Sequence, residues 1–148
     1  MKTPFFWYQL PGLFSTILWP LGWLYETGGK ILCIFKKPQR FSVPLLSVGN
    51  IVCGGAGKTP TAIALAQLLQ ERGIKVHFIT RGYGGTQKGP LEVNLSSHTS
   101  EDVGDEPLLL AQYAPTWVAK ERPLGVQKAI EKGAQLIILD DGHQTMSI

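Results

Sequence analysis

Between Ser47 and Pro60 the chain reads SVGNIVCGGAGKTP, a glycine cluster followed at once by a lysine and a threonine. Backbone N–H groups in a glycine-rich turn can converge on anionic oxygens, because glycine permits close approach and unusual dihedrals. A lysine after the turn adds a point charge, and a neighbouring hydroxyl can ligate a hard cation. A nucleoside triphosphate with Mg2+ needs that set of donors. The usual spacing is G-x-x-x-x-G-K-[ST], of which Gly57, Lys58 and Thr59 form the end, while Val52 stands where the first glycine belongs. Gly54 and Gly55 can supply the missing flexibility. Gly54, Gly55, Ala56 and Gly57 are therefore expected to cradle phosphate, Lys58 to meet its β/γ oxygens and Thr59 to ligate Mg2+. Pro60 fits the first turn of the following helix, where its absent N–H has no partner to lose.

Four other places carry residues capable of chemistry. LIILDD ends an apolar run in Asp140, as a buried strand delivering a carboxylate to Mg2+ would, or as a solvated turn would. In EDVGDEPLLL, Asp105 is either a helix N-cap or a general base that takes a proton from an attacking hydroxyl. TRGYGG sets Arg81 and Tyr83 at a strand end, on the rim where a nucleotide or acceptor would lie, or in a mere tight turn. Arg122 in AKERPLG offers a planar fork for phosphate, or is a surface charge. His143, after the aspartates, is weak ground for a base, and His77 and His98 carry no signal.

The elements that must position these residues alternate strand and helix. Val43–Val48 reads as a buried strand leading into the glycine loop, and residues 59–73 as a helix with an apolar stripe, ended by Gly73. Lys75–Thr80 is a second strand, DEPLLLAQY a short helix, TWVAK a strand, GVQKAIEKGA a helix and QLIILDDG a last strand. Such βα alternation predicts an α/β fold of the phosphate-loop kind, a parallel sheet with helices on both faces. Ligands then collect at the strands' carboxyl ends.

The first forty residues differ. Thr3–Tyr25 has no charged side chain and holds Trp7, Trp19 and Trp23, interrupted by Pro11 and Pro20. Leu10, Leu13, Phe14, Ile17, Leu18, Leu21 and Leu24 share one helical face, and Lys30, Lys36, Lys37 and Arg40 follow. An amphipathic helix lying in a membrane interface beside anionic lipid explains this better than a straight spanning helix, a cleaved signal or a packed core helix. Two units are expected, 1–40 membrane-associating and 41–148 nucleotide-binding. A net charge of +3, with no dense basic stripe, argues against nucleic acid as a partner. Cys33 and Cys53 form no C-x-x-C pair and fit a reducing cytosol.

PLGWLY, VGNIVCGGAGKTP, RGYGG, GDEP and DDGHQ, in this order, resemble the tetraacyldisaccharide 4′-kinase (lipid A 4′-kinase) family along the whole chain. That family's loop lacks the first glycine, as here. The resemblance implies ATP-dependent phosphorylation of the 4′-hydroxyl of a tetraacylated glucosamine disaccharide 1-phosphate, giving lipid IVA, at the cytoplasmic face of the inner membrane. It implies Asp105 as the base, Asp140 and Asp141 with Thr59 at the Mg2+ site, and Tyr83 and Arg122 positioning nucleotide or phosphate. It also implies a lipid A disaccharide precursor and inner-membrane lipids as partners. Two departures stand out. The ending DDGHQTMSI, with His143 and Thr145, differs from the family's QH or QN after an aromatic or leucine. Members are also about twice this long, and their second half brings further strands, part of the metal site and a histidine that works with the GDEP aspartate. The expectation is a truncated or frameshifted product, or a stretch of a longer protein, inactive alone. The alternatives are a membrane-surface regulatory ATPase, whose K-G-G-x-G-K-[ST] loop would need lysine at Cys53, and a non-catalytic nucleotide-binding remnant.

Overall fold

A computed structural model describes residues 19–20, 22–28, 39–49 and 57–140. The chain divides into two units, Met1–Lys37 and Pro38–Ile148. In the first, residues 19–20 and 22–28 are helical (α1) and expose Trp23, Leu24 and Tyr25, with Trp19 73% exposed. Among the described residues no helix is long and apolar enough to cross a membrane.

The second unit is built on a five-stranded sheet in the order β1-β5-β2-β4-β3. Its strands are β1 (Leu45–Val48), β2 (Val76–Thr80), β3 (Leu91–Glu92), β4 (Thr116–Val118) and β5 (Leu136–Asp140). The helices are α2 (Lys58–Glu71), α3 (Ser100–Val103), α4 (Asp105–Ala111) and α5 (Arg122–Glu131). Side chains alternate across a strand, so each central strand feeds two cores. Val76, Phe78 and Ile138 pack with Ala62 and Ala66 of α2 and Leu110 of α4. Ile79, Ile137 and Leu139 pack on the other face with Val126 and Ala129 of α5. The small residues Ala62 and Ala66 let α2 lie close on the sheet. Burying a side chain such as Phe78 or Ile138 contributes about 1.5–3 kcal/mol.

The sheet corrects the expectation of purely parallel strands: β1, β5, β2 and β4 are parallel, whereas β3 pairs antiparallel with β4. Two residues are too few to show a periodicity, so β3 leaves no mark in the sequence, nor does the single turn α3. Helix α5 starts earlier than the expected Gly125, because Pro123 suits a first turn. Strand β5 lies between β1 and β2, as its uninterrupted apolar run requires.

Candidate functional site

In parallel α/β sheets the residues after each strand and at the start of each following helix share one edge. Here that edge gathers most of the chemistry. Lys58 and Thr59 begin α2 after β1, Arg81 follows β2, Arg122 begins α5 after β4, and Asp140 closes β5. Helix α4 leads into the start of β4, so its first residue, Asp105, lies at the same edge. Val48 pairs with Asp140, which sets that aspartate beside the strand that runs into the glycine loop. Gly54, Gly55, Ala56, Asp141 and His143 lie outside the described residues.

Gly57 caps α2 in a left-handed conformation, φ 73°, and its carbonyl accepts from both the N–H and the hydroxyl of Thr61, at 3.1 and 2.8 Å. Lys58 and Thr59 are half-buried in the first turn. The Thr59 hydroxyl donates to Glu106 Oε1 at 2.8 Å. In the sequence Glu106 stands, with Asp102 and Asp105, only as an acidic residue at a loop-to-helix junction, because its link to Thr59 spans 47 positions. The GDEP stretch thus contributes two acidic groups at the start of α4, where the helix dipole favours negative charge.

Asp105 is the first residue of α4 and not its N-cap, which corrects the structural alternative weighed above. Gly104 takes the cap position at φ 90° and ψ 161°, a conformation that suits glycine and leaves the Asp105 side chain free of capping and exposed. A capping box fixes the approach to this turn. The Thr99 N–H and hydroxyl both donate to the Asp102 carboxylate at 2.8 Å. The backbone bond first, then the hydroxyl, holds the Asp102 carboxyl below its ordinary value.

Arg122 is 2% exposed, so it is no surface charge. Its Nη2 donates to the Asp140 carbonyl at 3.1 Å, and Asp140 is itself buried. Arg122 therefore holds the end of the strand that carries the candidate metal carboxylate. Tyr83 is 92% exposed and lines, with Arg81, a cavity of about 460 Å3 beyond β2.

Among the described residues no three acidic, histidine or cysteine side chains cluster. Mg2+ does not need such a cage: one or two carboxylates with phosphate oxygens and water complete its shell. A buried Asp140 and the Thr59 hydroxyl beside Glu106 are all oxygen donors and fit that cation.

A model of the family described as tetraacyldisaccharide-1-P 4′-kinase matches residues 14–148. The tetraacyldisaccharide 4′-kinase of Parvibaculum lavamentivorans is 51% identical over 97% of this chain and 43% of its own length. That of Jannaschia sp. is 49% identical over 100% of this chain and 45% of its own. The crystal structure of the "apo" form of LpxK from Aquifex aeolicus in complex with ATP superposes with a TM-score of 0.72 at 34% identity, covering 87% of this chain and 44% of that one. The chain thus spans a little under half the length of the curated relatives it matches.

Proposed function

The chain belongs to the tetraacyldisaccharide-1-phosphate 4′-kinase family, and on that premise we propose that the protein transfers the γ-phosphate of ATP to the 4′-hydroxyl of a tetraacylated glucosamine disaccharide 1-phosphate, giving lipid IVA. One observation carries the reading. Thr59, which follows the glycine loop, and Glu106 of the GDEP stretch are joined by a 2.8 Å hydrogen bond at the sheet edge where β5 ends in Asp140.

In this reading the glycine loop, Gly54 to Gly57, and Lys58 cradle the triphosphate. Thr59, Asp140 and Asp141 would hold Mg2+, with Glu106 orienting the Thr59 hydroxyl. Bound there, Mg2+ neutralises charge that builds on the phosphate oxygens. Asp105 accepts the proton of the acceptor hydroxyl, whose oxygen bonds to the γ-phosphorus as the bond to ADP breaks. Little covalent help is needed, so positioning and charge neutralisation set the rate. Tyr83 meets the acceptor at the rim. Arg122, held at the end of β5, adds fixed positive charge on the phosphate side.

Unit 1–40 attaches the protein to the cytoplasmic face of the inner membrane, with the exposed Trp19 and Trp23 at headgroup depth. Residues 41–148 form part of the nucleotide-binding body. Deleting residues 1–25 should move the protein from the membrane to the soluble fraction, and unchanged partitioning rejects this attachment.

The test of the function is ATP turnover by the protein as expressed from its own gene, with and without the disaccharide lipid. The kinase requires the lipid. Turnover on vesicles alone, indifferent to acceptor, would instead support a membrane-surface regulatory ATPase, and ATP binding without turnover a non-catalytic remnant.

A further inference from the structure

Two threonines lie buried in the sheet, and they differ in what their hydroxyls do. The Thr116 hydroxyl, at the start of β4, donates to the Ala114 carbonyl at 2.9 Å. Thr80, at the end of β2, is 3% exposed, and its Oγ1 only accepts, from the Gly82 N–H at 3.4 Å. Among the described residues the Thr80 proton has no acceptor. Burying a hydroxyl with its donor unused is unfavourable. A buried donor left over in this way is explained when a bound group supplies the acceptor.

Strand register says where this hydroxyl lies. Phe78 pairs with Ile138, and both pack on the face covered by α2 and α4. Ile79 pairs with Leu139, and both pack on the face covered by α5. Side chains alternate along a strand, so Thr80 and Asp140, the next residue on each, return to the face of α2 and α4. They are neighbours across adjoining strands, whose spacing is about 4.8 Å. Both stand one step nearer than Phe78 and Ile138 to the edge at which α2 and α4 begin and Thr59 meets Glu106.

Thr80 also stands at a border. On one side are Asp140 and the start of α2, which follows the glycine loop; on the other is the turn RGYGG, whose Gly82 it bonds. A group that passes from nucleotide to acceptor crosses this border. Phosphoryl oxygens accept strongly, and a hydroxyl donor meets them through a charge-assisted hydrogen bond.

We propose that Thr80 contacts the terminal phosphate of the bound nucleotide, its hydroxyl donating to a γ-phosphoryl oxygen, so that the protein tells a nucleoside triphosphate from a diphosphate. This deepens the kinase reading and rests on its placing of the triphosphate along the glycine loop. The Gly82 contact then makes Thr80 a link between the transferred group and the turn that carries Tyr83.

The experiment titrates AMP-PNP and ADP, each with Mg2+, into the full-length protein and into Thr80→Val and Thr80→Ser by calorimetry. Valine keeps the shape and the strand preference of threonine without the hydroxyl. Thr80→Val should lose on the order of 10-fold or more in affinity for AMP-PNP while its affinity for ADP holds. Thr80→Ser should bind both as the wild type does. A turn disturbed through Gly82 would weaken both nucleotides alike, so equal losses overturn the proposal. Unchanged AMP-PNP affinity in Thr80→Val, or a loss that serine does not restore, also overturns it. An unchanged AMP-PNP affinity with a raised Mn2+ requirement, read from the electron paramagnetic resonance of free Mn2+, overturns it in favour of the metal's water shell. A wild type that binds neither nucleotide overturns it together with the nucleotide site. Thr80-dependent AMP-PNP binding by a protein that transfers no phosphate to the disaccharide lipid would reject the kinase reading and leave the Thr80 contact standing.

Discussion

The Thr59 hydroxyl and the Glu106 carboxylate meet at 2.8 Å and tie the start of α2 to the start of α4. A free threonine hydroxyl samples several rotamers, whereas one whose proton is committed to Glu106 keeps its lone pairs in a fixed direction. Groups that orient a metal ligand in this way typically matter by about 10–100-fold in metal affinity or activity. Glu106→Ala is therefore expected to lower phosphate transfer by that order and to raise the Mg2+ concentration needed for half-maximal rate. A Mg2+ titration of the variant checks this, and a curve that overlays the wild type removes Glu106 from the site.

Gly104 separates α3 from α4 at φ 90°, and a Cβ there would run into the Tyr83 carbonyl. Gly133 has nearly the same φ, 89°, but open space around it. Alanine at Gly133 should cost only the backbone strain, about 1–3 kcal/mol. Alanine at Gly104 should cost more, because the RGYGG turn must also move. Thermal unfolding of the two variants compares them directly, and equal losses would mean that the Gly104–Tyr83 contact yields easily.

Much of this architecture was readable from residue order, for identifiable reasons. Long apolar runs bounded by glycine marked β1, β2 and β5, and Gly73 at φ 78° follows the last turn of α2 as expected. Contacts made only by folding were invisible. Arg122 looked equally like a surface charge because nothing in AKERPLG shows that α5 turns its first side chain inward. The pairing of Thr59 with Glu106 depends on connections that place distant segments at one edge. The two-residue β3 lacks any pattern to read, although Thr99 and Asp102 did hold the spacing of a capping box.

His77 offers a pH-dependent readout of the sheet. Burial holds its pKa below the ordinary 6.5, with the Glu92 carboxylate opposing. Its Nδ1 accepts from the Trp117 indole N–H at 3.3 Å, an acceptor role that only the neutral ring can play. Because the folded-state value is depressed, the unfolded chain takes up this proton first as pH falls. The histidine's contribution is thus intact above pH 6.5 and is lost on acidification from 6.5 through the folded-state value. Urea unfolding at about pH 7.5 and about pH 5.5, on either side of an ordinary histidine's titration, should show a smaller acid loss in His77→Phe than in the wild type. Equal losses would place the titration elsewhere.

The account turns on Asp105 as the group that takes the acceptor's proton, and the most direct measurement is transfer and nucleotide binding side by side in Asp105→Ala. Removal of a general base typically slows the chemical step by about 100- to 10,000-fold. The variant should therefore lose transfer of labelled γ-phosphate to the disaccharide lipid by that order while binding ATP as the wild type does. Lys58→Ala, run alongside, should lose transfer together with nucleotide affinity. Wild-type transfer in Asp105→Ala would contradict the account.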